Sequence, residues 1–227
     1  MRLKLDLERR MDKLTFRLAV ADMLKVLREK YTCTEMARIC GVNITIISRY
    51  INHDVLPDYE RALSLYRAFR KDLLNMMSEG LDENNGVLLS NPSFLSLVSL
   101  DAMYRVLGKR ITKVMAFDEL AGLAVATSIN ISRPYVLITR NKSSAFKDWL
   151  SFSCDVGPVM VEYYVPKVIS PKDDLLYIDL REDIFRNTVL KRICEATGCN
   201  IAYRYILENE ISNWGRFENT VHDLKRR

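Results

Sequence analysis

The apolar residues of this chain change their spacing once, near residue 80, and that change limits the fold more than any other feature. Before it, Phe16, Ala19, Val20, Met23, Leu24 and Leu27 recur three and four positions apart, so they form one stripe of a helix. The pattern predicts a helix over 3–31, two short helices over 32–52 and a fourth from Pro57 to Ser78. The segment GLDENNG at 80–86 has turn-forming residues and no apolar anchor, and it reads as a linker. Beyond it, short apolar runs alternate with helical stretches: strands at 111–117, 135–140, 159–165, 175–178 and 201–207, and helices at 91–107, 119–130 and 185–196. Such alternation predicts a mostly parallel sheet flanked by helices. The expected class is therefore α + α/β, with a helical domain at 1–79 and a sheet domain at 87–227.

Composition sets the outer bounds. The 227 residues are 48% hydrophobic and 28% charged, the balance of a folded domain rather than a disordered tail. No apolar run approaches the ~20 residues of a bilayer span, and the first ten residues alternate charge with leucine, so no membrane or export signal is read and the cytoplasm is the expected location. Five cysteines without a Cys-x-x-Cys pair, and only two histidines, lack the ligand spacing of a metal site. Buried free thiols are the expectation, with no metal and no cofactor. Residues 1–80 hold 15 Lys/Arg against 11 Asp/Glu, a basic surplus that suits an anionic partner.

Within the helical half, the most specific stretch is TCTEMARICGVNITIISRYIN, residues 32–52. Thr32 and Glu35 are spaced as a capping box. Gly41 falls where a tight turn needs a positive φ, Asn43 can cap the next helix, and Ile47 and Ile51 turn that helix inward. The segment resembles the helix-turn-helix of bacterial and archaeal transcription regulators of the lambda- and lactose-repressor kind. The resemblance implies that the second helix enters the major groove of double-stranded DNA. Asn43, Ile44, Thr45, Ser48, Arg49 and Asn52 are then the DNA-facing residues, with Arg49 on a guanine edge or a phosphate. The reading helix carries a single cation, so Arg2, Lys4, Arg9, Arg10, Lys30 or a second copy must supply phosphate contacts. The alternative is a plain helical bundle that binds protein.

The second half resembles a type I phosphoribosyltransferase over about residues 86–209. In KVMAFDELAGLAVATSINISRPYVLITR, residues 113–140, Gly122, Ala126, Thr127 and Pro134 fit that family's layout of strand, small loop, helix and strand. Residues 141–158, with Lys142, Ser143, Ser144, Lys147 and Trp149, correspond to its flexible loop. DDLLYIDLREDIFRNTVLKRICEATGCNIAYRYILEN, residues 173–209, corresponds to its signature strand, phosphate loop and helix. Asp173 and Asp174 read as solvated turn residues before that strand.

The chain departs from the family in that loop. Leu180 follows Asp179 where active members carry a second acid, and the loop over 181–188 has no glycine. Glu182 and Asp183 add negative charge, while Ile184 and Phe185 occupy the space a phosphate needs. The expectation is a catalytically silent domain with no catalytic residue, used for homodimerisation and for a nucleotide-like effector near Asp118, Glu119, Asp179, Arg181, Arg186 and Thr188. Asp118 and Glu119 read more simply as a helix cap and favourable first-turn charges. The regulator reading competes with that of a divergent phosphoribosyltransferase enzyme whose N-terminal helices assemble the oligomer.

Overall fold

A computed structural model describes residues 2–82, 89–156 and 159–213, with side chains described from residue 12 onward except at 80, 82, 156 and 159. By contact density the chain divides into two compact units. The first is Met1–Tyr104 with Asn130–Ser132, and the second Arg105–Ile129 with Arg133–Arg227.

The first unit is helical. It holds α1 (Arg2–Leu27), α2 (Cys33–Cys40), α3 (Ile44–Ile51), α4 (Tyr59–Asp82) and α5 (Pro92–Arg105). Local chemistry sets the boundaries. Asp58 accepts a hydrogen bond from the Arg61 N–H at 2.8 Å and starts α4. Asn91 accepts from the N–H groups of Ser93 and Phe94, with Pro92 in the first helical position, where a missing N–H costs nothing. The α1 stripe is buried as its spacing requires: Phe16, Val20, Met23, Leu24 and Leu27 are fully enclosed, with Phe16 against Tyr66 and Tyr104.

The expected linker at 80–86 lies mostly outside the described residues, and the division between units falls later, after Tyr104. The reason is α5. Its Asp101 is buried in the first unit, where it accepts hydrogen bonds from the Tyr66 hydroxyl and from Arg70 Nε, the latter at 3.0 Å. A carboxylate removed from water stays ionised only with such partners, so α5 is committed to α4. Burial, with the Asp101 charge behind it, pushes the Tyr66 phenol well above its ordinary pKa.

The second unit is built on a four-stranded sheet in the order β2-β1-β5-β6, with β1 (Lys113–Phe117), β2 (Tyr135–Ile138), β5 (Asp174–Asp179) and β6 (Asn200–Ile206). All three pairings are parallel. A 3-10 turn (Asp118–Leu120) leads into α6 (Ala121–Ile131), which joins β1 to β2, and α7 (Ile184–Thr197) joins β5 to β6. β1 and β5 bury both faces, Val114 and Ala116 on one and Met115 and Phe117 on the other, as parallel strands do.

One segment departs from expectation. Residues 149–156 are not part of a loop: β3 (Trp149–Val156) pairs antiparallel with β4 (Val159–Pro166) along its whole length. The cause is the alternation in LSFSCD, which buries Phe152 and Cys154 and exposes Ser151, Ser153 and Asp155. Thr139 and Tyr164 exchange backbone hydrogen bonds of 2.9 and 2.7 Å, fastening this hairpin to the end of β2.

Asp173 departs from expectation too. It is 6% exposed and accepts hydrogen bonds from Lys113, from the Thr112 hydroxyl at 2.9 Å, and from the Ser170 N–H at 2.8 Å. It thereby ties the start of β1 to the start of β5. Burial opposes its charge, but the Lys113, Ser170 and Thr112 hydrogen bonds outweigh that and hold its pKa at about 2. A carboxyl depressed below its unfolded value of about 4 adds stability that is complete above pH ~4 and lost as the pH falls toward 2. Asp173→Asn is therefore expected to flatten the acid limb of the stability curve between pH 4 and 2, as read by urea unfolding at stepped pH. An unchanged limb would remove Asp173 as its source.

Candidate functional site

The strand order creates a natural crevice. From β1 the chain passes through α6 to β2 on one side, and from β5 it passes through α7 to β6 on the other. Connections that leave two adjacent parallel strands in opposite directions open a gap at their carboxyl ends, the usual ligand position in open α/β sheets. Asp118 and Glu119 follow β1 directly, and Asp179 ends β5.

Four expected residues meet here. Arg186 donates from Nη1 to Asp179 Oδ1 at 2.8 Å, and its Nη2 lies 3.8 Å from Glu119. Its guanidinium lies over the Phe117 ring, 4.8 Å from the centroid. Asp179 is 3% exposed, and it also accepts from the Tyr177 hydroxyl and the Leu180 N–H. Asp118 accepts from the Arg140 N–H at 3.4 Å, a long bond. Arg140, not anticipated from sequence, also brings Nη2 to 3.9 Å from Glu119. The cluster thus has three carboxylates and two guanidiniums. Burial opposes the Arg186 charge, but Asp179 more than compensates and raises its pKa. Burial followed by the Asp179 charge raises that of Tyr177.

The other two expected members are Thr188 and Arg181. Thr188 spends its hydroxyl on the carbonyl of Ile184, one turn back in α7. Arg181 is exposed on the loop before α7. Glu182 turns toward β6, bonded to Arg204 at 2.9 Å and to Asn187 and Asn209, and these partners hold its carboxyl below the ordinary range. Asp183 caps α7, accepting from the Arg186 N–H at 2.9 Å. α7 begins at Ile184, and Ile184 and Phe185 in its first turn are 79% and 40% exposed.

In the first unit, the segment 32–52 folds as its spacing predicts. Thr32 and Glu35 form the reciprocal capping box, and Gly41 ends α2 with φ 63°. Asn43 accepts from the Thr45 N–H at 2.8 Å. Ile47, Tyr50 and Ile51 are buried, while Asn43, Ile44, Thr45, Arg49 and Asn52 are exposed and Ser48 is half-buried. His53, at φ 60°, lies 3.1 Å from Asp22 of α1 and fastens the end of α3. Lys30 is engaged by Asp72 at 3.2 Å, while the side chains of Arg2, Lys4, Arg9 and Arg10 fall outside the described residues.

No family model matches the sequence, and no curated protein does. Solved structures do. Adenine phosphoribosyltransferase from Rhodothermus marinus is similar over 52% of this chain and 69% of its own, with TM-score 0.46 and 16% identity. The enzyme from Giardia lamblia, complexed with 9-deazaadenine, is similar over 54% and 70%, with TM-score 0.45 and 20% identity. That from Thermoanaerobacter pseudethanolicus covers 52% and 69%, with TM-score 0.45 and 8% identity. The likeness is one of fold and extends over about half of this chain. The expectation of a catalytically silent domain is corrected here. The similar structures are of adenine phosphoribosyltransferases, and nothing among the described residues shows this domain to be inactive. Among the described residues, no helix is long and apolar enough to cross a membrane, and no group of three or more His, Cys, Asp or Glu could hold a metal ion.

Arg186 is the residue on which the site's arrangement rests. Arg186→Met leaves the buried Asp179 carboxylate without its cation and is expected to cost about 3 kcal/mol in urea unfolding. Arg140→Met removes a cation whose side chain is 59% exposed and is expected to cost under ~1 kcal/mol. Equal losses for the two variants would refute this ranking.

Proposed function

We propose that this protein is a DNA-binding regulator that works in the cytoplasm as a homodimer. Its N-terminal unit is a helix-turn-helix domain that reads double-stranded DNA through α3. Its second unit receives a nucleotide-like effector at the carboxyl ends of β1 and β5. The observation that carries the reading is the division of α3 into two faces: Ile47, Tyr50 and Ile51 anchor it, and Ile44, Thr45, Arg49 and Asn52 stand free in solvent. A short helix capped by Asn43 and presenting polar side chains from its first turn has the form that enters a major groove. Arg49 reads a guanine edge or holds a phosphate, Thr45 and Ser48 bond base edges or phosphates, and Ile44 meets a thymine methyl.

Because α3 offers a single cation and phosphate contacts supply much of the affinity, a second copy on a half-site about one helical turn away (~34 Å) adds to them in this reading. An effector alters DNA binding only by its unequal affinity for two arrangements of the dimer.

Selection of genomic fragments bound by the full chain tests the reading. Enrichment of a two-fold-related sequence is expected, and no enrichment overturns it. Arg49→Ala is expected to weaken binding to that sequence about tenfold or more in a gel shift, the worth of one base contact. Unchanged affinity excludes Arg49 as a reader.

A second reading, phosphoribosyl transfer, is favoured by the gathering of Asp118, Glu119 and Asp179 at the ends of adjacent parallel strands. Release of pyrophosphate from phosphoribosyl pyrophosphate with a nucleobase, at ordinary enzyme rates of ~1–10³ per second, would establish it. Such turnover without sequence-selective DNA binding would replace the first reading.

A further inference from the structure

We propose that Cys194 and Cys199 form a dithiol that a small-molecule disulfide, such as oxidised glutathione, converts to an intrachain disulfide. α7 ends at Thr197, and Gly198 turns the chain back with φ 71°, its N–H bonded to the Cys194 carbonyl at 2.8 Å. A left-handed residue at this point brings the second residue past the cap over the last turn of the helix. Here the two residues so apposed are both cysteines, with their sulfurs 3.8 Å apart. A change in side-chain torsions closes that gap to a disulfide bond of about 2 Å.

The environment orders the steps. Cys199 is 7% exposed, whereas Cys194 is half-buried, so the oxidant reaches Cys194 first. The Cys194 thiolate attacks one sulfur of the oxidant and forms a mixed disulfide, and the first glutathione thiolate leaves and takes a proton. The Cys199 thiolate then attacks the Cys194 sulfur and expels the second glutathione thiolate, which is likewise protonated. Two protein thiols are oxidised, and one small disulfide is reduced to two thiols. Burial, reinforced by Cys199, pushes the Cys194 thiol up to about 12. Little thiolate is present at neutral pH, so exchange is slow there and accelerates as the pH rises.

The remaining cysteines are internal controls. Cys33, Cys40 and Cys154 are free, and no thiol contact joins them among the described residues. The full-length folded protein is incubated with oxidised glutathione at pH 7 and pH 9, alkylated after unfolding without reductant, and digested with trypsin. Residues 193–204 form one tryptic peptide containing both cysteines. The expected product is this peptide lighter by two hydrogen atoms and unalkylated, formed faster at pH 9. Alkylatable thiols then fall from the five of the sequence to three, and dithiothreitol restores them. Two alkylated cysteines in that peptide after prolonged oxidation overturn the proposal, as does a glutathione adduct at Cys194 that never resolves. A light peptide already complete before oxidant is added also overturns it, since the pair would then be a standing disulfide.

Discussion

The ion pair between Arg186 and Asp179 organises the second unit. Asp179 ends the central strand β5, and Arg186 lies in the first turn of α7, so a single contact fixes where the strand stops and how the helix leaves it. The guanidinium lies over Phe117 at the end of β1 and reaches Glu119 beyond it, so the same cation holds the neighbouring strand end in place. A carboxylate this deeply enclosed cannot remain charged without such a partner. Ion pairs of Arg186 therefore run from the β5 wall of the crevice to the β1 wall.

In the first unit, α3 depends on a comparable division of labour. Residues that face inward on α3 are bulky and apolar, and the cap at Asn43 satisfies donors that a short helix would otherwise expose. Asp22 receives His53 at its far end. An eight-residue helix is marginal alone, so its outward residues hold a defined direction only because tertiary contacts fix its inward ones.

Local chemistry was the legible part of the sequence. The capping box of Thr32 and Glu35, the turn at Gly41 and the parallel strands of the sheet all rest on spacings of a few residues or on hydrophobic period. β3 was legible as well, in the alternation from Leu150 to Asp155, but the family resemblance assigned that stretch to a loop. Other features had no local signal. Asp173 looks like a turn residue until folding brings Thr112 and Lys113 to it from some 60 positions away. α5 looks like the opening of the sheet domain until Asp101 meets Tyr66 and Arg70. In the candidate site, the acids were identifiable from their place after strands, whereas Arg140 carried nothing in its neighbourhood to mark it.

The bridge between Thr139 and Tyr164 also bears on how the molecule behaves in a crowded solution. A parallel sheet with two open flanks can recruit strands at both ends and grow into a ribbon, a route to aggregation. Here a single bridge sets the β3–β4 hairpin beside the end of β2. A strand adding along β2 would meet the hairpin at that end.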